Sequence, residues 1–200
     1  MKNKNIYKVG ITGGIGSGKT TICNFFKIIG IPVFSADLEA KRILNESSQV
    51  RSQMIFHFGK DIYPSNHTID RKKLAGIIFN SPSLLEKVNS IIHPEVRKFF
   101  FEWCNRQNSA YVVHEAAILF ESGFYEMMDF NILVTAPEQQ RIERVMKRDN
   151  STAEQIKERI SKQWPDEKKN QLANMTIDNN NRELIVPTLL ELDKKFRLHG

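Results

Sequence analysis

Cysteine is scarce in this 200-residue sequence, which holds only Cys23 and Cys104. The two lie far apart, and each sits among apolar residues at helical spacing. This placement favours buried, reduced thiols over a disulfide or a metal-binding pair. We therefore expect a cytoplasmic protein.

Long apolar runs are also missing. No stretch approaches the roughly eighteen apolar residues that a membrane-spanning helix needs. The first residues, Met1–Asn5, are basic, but an alternating segment follows them instead of the apolar core of a signal peptide. We expect no membrane partner.

The charge balance is positive, with a formal net charge of +6. No block dense in lysine and arginine and interleaved with aromatic residues occurs, so nucleic acid is the weaker interpretation. A positive balance equally suits an enzyme that handles polyanionic small molecules.

A phosphate-binding motif stands near the start: Gly13-Gly14-Ile15-Gly16-Ser17-Gly18-Lys19-Thr20 matches G-x-x-x-x-G-K-[ST]. Backbone N–H groups of such a loop form a nest for the phosphates of a nucleoside triphosphate, and the next helix adds positive charge at its N-terminus. Lys19 is expected to reach the β- and γ-phosphates, and the Thr20 hydroxyl to hold Mg²⁺. The expected nucleotide-binding residues are Gly14, Ile15, Gly16, Ser17, Gly18, Lys19, Thr20 and Thr21.

The flanking sequence supports the motif. Tyr7–Thr12 alternates as a short strand does, and a helical apolar stripe follows the motif at Ile22, Phe25, Phe26 and Ile29. Further strands are predicted at Tyr111–Val113, Phe130–Val134 and Met175–Ile177. Capping boxes are predicted at Thr135–Glu138 and Ser151–Glu154, a loop at Gly59–His67, and a kink or break at Pro94.

Strands and helices that alternate after a phosphate loop predict a three-layer α/β/α P-loop NTPase fold with a parallel sheet. We expect a single domain over residues 1–200. Its core is predicted at residues 1–45, 109–140 and 173–200, an inserted helical lobe at about 48–108, and a helical lid at about 141–170.

Asp37 is the candidate catalytic carboxylate. It follows a second strand predicted at Ile31–Phe34, and ligands of open parallel sheets lie beyond the carboxyl ends of the strands. There it could accept or orient the proton of an attacking hydroxyl group. The alternative is that Ser35 or Asp37 simply caps the next helix.

Arg141, Arg144 and Arg148 share one face of a predicted helix. Phosphoryl transfer needs cations over the transferring group, which a lid with arginines would supply. Taken alone, a run of basic residues is typical of a solvent-exposed helix face. Because this chain also has a phosphate loop, we favour the interpretation that the helix is part of a lid, with Arg148 as the catalytic arginine.

Several other polar residues allow two interpretations. Glu115 ends an apolar strand and could hold the water shell of a metal ion, as a Walker-B acid does, or could be a loop acid with local hydrogen bonds. Glu121 lies six residues further on, and its role is left open as well. His114 is interpreted as structural. A lone histidine on a helix is usually structural too, so the local sequence gives the same interpretation for His93.

The combination of motifs resembles the dephospho-CoA kinase family from Ile6 to about Asn180. Gly10–Thr20 is similar to the family's G-L-T-G-G-I-G-S-G-K-S, and Glu115–Glu121 to its D-x-P-L-L-F-E. The other matching segments are Ser35-Ala36-Asp37 with Lys41; Asp70-Arg71, Leu74, Phe79, Asn89 and Ile92-His93-Pro94 of the lobe; Arg148-Asp149, Arg159-Ile160 and Gln163 of the lid; and Ala173–Asn179.

The resemblance implies transfer of the γ-phosphoryl group of ATP to the ribose 3′-hydroxyl of 3′-dephospho-CoA, giving ADP and CoA, with Mg²⁺ on Thr20. It implies that Asp37, Lys19 and Arg148 are catalytic. The substrate-binding residues it implies are Asp37, Lys41, Arg71, His93 and Pro94. A monomer is the expected state, with a higher oligomer left open.

Three positions depart from the family pattern. Ser35 replaces an acidic residue, Lys41 replaces an arginine and loses its bidentate fork, and Ala117 replaces a proline. Two rival functions stay open: another small P-loop kinase acting on a nucleoside monophosphate or metabolite, and a nucleotide-dependent switch. The sequence lacks the N-K-x-D segment of guanine-specific switches.

Overall fold

The computed structural model describes residues 6–64, 68–78 and 81–199. The predicted loop residues Ser65–His67, the lobe residue Phe79 and the basic segment Met1–Asn5 lie outside the described residues.

Two compact units make up the chain. One joins Met1–Ser35 to Arg106–Gly200, and the other is Ala36–Asn105. The second unit begins immediately after the second strand, so it includes residues 36–45, which the sequence pattern grouped with the core.

A five-stranded parallel sheet forms the first unit, in the order β2-β3-β1-β4-β5. The strands are β1 (Tyr7–Gly13), β2 (Val33–Ser35), β3 (Tyr111–Glu115), β4 (Phe130–Thr135) and β5 (Met175–Asp178). Ile11 pairs with Glu115 and Gly13 with Val134, so the carboxyl ends of the central strands lie side by side. The predicted parallel α/β sheet is confirmed.

The helices follow the strands in the alternation that the sequence predicts. In chain order they are α1 (Lys19–Ile28), α2 (Ala36–Glu46), α3 (Ser48–Phe58), α4 (Arg71–Ile78), α5 (Pro82–Cys104), α6 (Glu138–Asp149), α7 (Ala153–Ser161), α8 (Asp166–Asn170) and α9 (Val186–Arg197). Short 3₁₀ helices lie at Lys60–Ile62, within the segment predicted as a loop, and at Phe124–Met127.

The core of the first unit lies between the sheet and two of its helices. Ile22 and Phe26 of α1 and Leu192 and Phe196 of α9 are buried with the apolar strand residues. A smaller cluster joins α6 to α7 through Ile142, Val145 and Ile156. This second cluster fixes the pair of helices predicted as the lid to each other.

Both predicted capping boxes need correction. Thr135 pairs with Asp178 in the sheet, so it ends β4 and Pro137 precedes α6 as the N-cap. Before α7 the box is formed by Thr152 and Gln155, one residue later than predicted. In a capping box the side chain three residues after the N-cap accepts a hydrogen bond from the N-cap N–H. Glutamine does this as well as glutamate, so the box can form between Thr152 and Gln155.

The second unit is helical, with α2, α3 and α4 all contacting the long helix α5. Pro94 lies inside α5 and does not end it. Proline removes one backbone hydrogen bond, but the buried stripe continues on both sides through Val88, Ile92, Val96 and Phe100. Of the predicted kink or break, the break is therefore wrong, because packing of this stripe offsets the lost bond.

Within the described residues, none of the helices has the length and apolar character needed to cross a bilayer.

Candidate active site

The phosphate motif forms the loop between β1 and α1. Gly16 and Gly18 adopt left-handed backbone conformations, with φ of +78° and +101°. A Cβ on Gly16 would lie 2.5 Å from the backbone oxygen of Arg141, and one on Gly18 would collide with the side-chain amide of Asn179. Only glycine meets both the dihedral and the space requirement at these positions.

Lys19, the first residue of α1, folds back over this loop. Its Nζ donates to the carbonyl oxygens of Gly13 at 2.8 Å and of Gly14 at 3.2 Å. The ammonium group therefore lies against the loop, next to the positive end of the α1 dipole. Both features favour an anion at this place.

Thr20 and Glu115 are brought together although they are far apart in the sequence. Thr20 Oγ1 donates to Glu115 Oε1 at 3.0 Å, because Glu115 ends β3 beside the strand that leads into the loop. Hydroxyl and carboxylate oxygens are ligands that Mg²⁺ accepts. Of the two interpretations of Glu115, this contact favours the Walker-B-type one.

Glu121 has a different environment. Its Oε1 accepts from the backbone N–H of Trp164 at 3.2 Å and lies 3.3 Å from Nζ of Lys169, which is fully buried. A buried ammonium group requires such a counter-charge. The contacts of Glu121 therefore support a structural role.

Arg148 and Arg144 line a cavity of about 380 Å³ together with loop residues. The rest of its lining is Gly16, Gly18, Lys19, Thr20, Thr21 and Val145. Arg148 grips Asp149 with Nε at 2.6 Å and Nη2 at 2.9 Å, and this pair lowers the pKa of Asp149 to about 2. The carboxylate stays ionised at neutral pH and forms a two-point ion pair with the Arg148 guanidinium.

Arg144 donates to side-chain oxygens of Gln140 and Asn181 and to backbone oxygens near the loop. Its Nη2 donates to the carbonyl oxygen of Asn179 at 2.8 Å, and its Nη1 to that of Gly16 at 3.3 Å. Asn179 in turn donates from Nδ2 to the carbonyl oxygen of Ser17 at 2.8 Å. The turn after β5 is thereby joined to the phosphate loop.

Arg141 lies beneath the loop instead of facing the cavity. It is buried, its Nε donates to the carbonyl oxygen of Ile15 at 2.9 Å, and its Nη1 lies 3.4 Å from Asp166 Oδ2. Helical spacing placed Arg141 on the same face as Arg148. The phosphate loop covers that part of the face, and these contacts favour a supporting role for Arg141.

The remaining predicted site residues belong to the second unit. Asp37 is exposed in the first turn of α2, and Lys41 follows one turn later on the same face. Arg71 begins α4, and His93 and Pro94 lie in the middle of α5, against which α4 packs.

His93 is half-buried, and its pKa lies below the usual value for histidine. Burial is the larger cause, and the positive charge of Arg97 adds to it. The lowered pKa favours the neutral imidazole at pH 7, a form with one donor and one acceptor nitrogen.

Two other groups match their structural interpretation. His114 is fully buried between the rings of Phe34 and Phe124, and burial lowers its pKa to about 3. Cys23 and Cys104 are both buried, and burial raises the pKa of Cys23. Within the described residues neither forms a disulfide, which agrees with the predicted reduced state.

Sequence reasoning missed the contributions of Asn179 and Arg144 to the shape of the loop. Asn179 entered that reasoning only as the end of the matching segment Ala173–Asn179, and Arg144 only as one member of a basic face. Their contacts span more than a hundred residues of chain, so no local pattern signals them.

Comparison with known proteins gives a consistent result. A family model described as dephospho-CoA kinase matches residues 7–184. A dephospho-CoA kinase of Porphyromonas gingivalis is 41% identical over 193 residues, which cover 94% of each chain.

Two solved structures are also similar. TT1252 from Thermus thermophilus superposes with a TM-score of 0.81 at 29% identity, and a dephospho-CoA kinase from Campylobacter jejuni with 0.65 at 26% identity. Each comparison covers 95% of both chains.

We predict that Gly18→Ala weakens nucleotide binding by at least about tenfold, because the new methyl group displaces Asn179. Gly30→Ala is the matched control: Gly30 also has a positive φ, of +83°, but a Cβ there meets nothing within 4 Å. Both variants should lose about 1 kcal/mol of unfolding free energy through backbone strain. Nucleotide titration calorimetry and denaturant unfolding measure the two effects, and equal nucleotide affinity in both variants would contradict the prediction.

Proposed function

Because the chain belongs to the dephospho-CoA kinase family of ATP-dependent kinases, we propose that it phosphorylates the ribose 3′-hydroxyl of 3′-dephospho-CoA. The observation that carries this proposal is the phosphate loop with Lys19 folded over it and Thr20 bonded to Glu115. That arrangement is the donor half of a phosphoryl-transfer site.

On the donor side, backbone amides within the segment Gly14–Thr21 hold the phosphates of ATP, except the N–H of Ile15, which donates to Gln163. In a loose transition state, negative charge spreads over the oxygens of the transferring phosphoryl group. Lys19 and Arg148 neutralise that charge, and both line the same cavity. Arg144 and Arg141 act through the shape of the loop.

The proposal includes Mg²⁺, bound through Thr20 and Glu115. Their oxygens lie 3.0 Å apart, and the hydroxyl and carboxylate form the hard donor set that this ion takes. When bound, Mg²⁺ neutralises charge on the β- and γ-phosphates. The proposal also includes a cytoplasmic location, which suits two buried thiols that stay reduced.

On the acceptor side, Asp37 takes the proton of the ribose 3′-hydroxyl. The hydroxyl oxygen then forms a bond to the γ-phosphorus while the bond between that phosphorus and the β–γ bridging oxygen breaks, releasing ADP. Asp37 is exposed and can meet a substrate. The acceptor is bound by Lys41, Arg71, His93 and Pro94.

An acceptor assay tests the proposed function. With ATP and Mg²⁺, we expect ADP release to depend on 3′-dephospho-CoA, and mass spectrometry to identify CoA as the product. AMP, CMP and shikimate should give little or no ADP, and chelation of Mg²⁺ should stop the reaction. Preference for one of these three acceptors, or ATP turnover independent of any acceptor, would contradict the assignment.

Asp37→Ala tests the acceptor side alone. Removing the carboxylate should lower kcat by about two decades or more, while ATP affinity measured by calorimetry stays nearly unchanged. Asp61→Ala serves as the control, since its side chain is 85% exposed and its contact is a surface pair with Lys73. A near-normal kcat in Asp37→Ala would remove this residue from the mechanism.

A further inference from the structure

The backbone N–H and the carbonyl oxygen of Ile15 each form a hydrogen bond with a side chain from a distant part of the chain. Its N–H donates to Gln163 Oε1 at 2.9 Å, and its carbonyl oxygen accepts from Arg141 Nε at 2.9 Å. Backbone N–H groups in a phosphate loop ordinarily point into the anion nest. The Ile15 amide is instead satisfied by a residue that lies just beyond the end of α7.

The other end of the Gln163 side chain contacts a second loop. Its Nε2 donates to the carbonyl oxygen of Ala117 at 3.4 Å, two residues after Glu115. The phosphate loop and the loop that follows Glu115 leave adjacent parallel strands. One amide side chain therefore bridges the two backbone segments that carry Thr20 and its carboxylate partner.

Gln163 is itself held in place. The backbone N–H of Gln163 donates to the carbonyl oxygen of Ile160. The backbone N–H of the next residue, Trp164, donates to Glu121 Oε1. Glu121 is paired with the fully buried Lys169 of α8. The segment from residue 163 to residue 169 is thus fixed at both ends, which orients the Gln163 amide towards Ile15.

We propose that Gln163 is a positioning residue for phosphoryl transfer: through the Ile15 peptide it holds the phosphate loop in its nucleotide-binding shape and links that shape to the lid helix α7. This inference rests on the proposed function. Gln163 acts on ATP through the loop and touches no reacting atom. Because the next four loop residues depend on the orientation of the Ile15 peptide, a loosened peptide misdirects several phosphate donors at once.

Two substitutions separate positioning from general stability. Gln163→Met keeps the length of the side chain but leaves the partly buried Ile15 N–H without an acceptor, whereas Gln163→Glu keeps an acceptor for it. The control is Gln171→Met, the same exchange at an exposed position beyond α8. The readouts are the Kd for ATP by calorimetry, kcat, KM for each substrate, and Tm.

We expect Gln163→Met to raise the Kd and the KM for ATP about tenfold and to leave the KM for 3′-dephospho-CoA unchanged. Gln163→Glu should restore ATP affinity to within about threefold of the wild type, and Gln171→Met should match the wild type.

Unchanged ATP affinity in Gln163→Met would overturn the proposal. So would an equal loss in Gln163→Met and Gln163→Glu that follows a common drop in Tm, since this would indicate a structural role only. If Gln163→Met does not fold, an ATP affinity of Gln163→Glu far below the wild type overturns it as well. Wild-type protein that binds ATP but makes no CoA would instead refute the proposed function, and the ATP affinities of the variants would still decide the role of Gln163.

Discussion

The geometry of the phosphate loop constrains most of the first unit. The loop keeps its shape because glycines allow two distant segments to press against it: the backbone of Arg141 beside Gly16 and the side chain of Asn179 beside Gly18. Any larger residue would push these segments away. Gly16 and Gly18 are therefore explained by packing against α6 and the turn after β5 as much as by the approach of a phosphate.

Much of this site was predictable from local sequence. The motif itself identifies Lys19 and Thr20, and alternating apolar residues identify the strands around them. The sequence did not predict as firmly which arginine of α6 faces the cavity. Helical spacing shows which residues share a helix face, but it does not show which other segments of the chain cover that face. Arg141 is covered by the loop, whereas Arg148 remains 60% exposed beside the cavity.

Contacts between distant residues account for the rest that the sequence could not show. The bond from Thr20 to Glu115 depends on β3 lying next to β1, an order that local pattern does not reveal. Pro94 illustrates the opposite case: the break, one of the two outcomes predicted there, is prevented by packing along α5. The family resemblance contributed Lys41, Arg71 and His93, whose roles no local pattern indicates and which remain proposals.

The central claim is that backbone amides of the phosphate loop between β1 and α1 bind the triphosphate of ATP. The most direct measurement follows the backbone amide resonances of ¹⁵N-labelled protein during titration with ATP and Mg²⁺. The account predicts that the resonances of Gly16, Gly18 and Lys19 shift and saturate with the Kd that calorimetry gives for ATP. If these resonances stay in place while ATP shifts amides elsewhere in the protein, the account is contradicted.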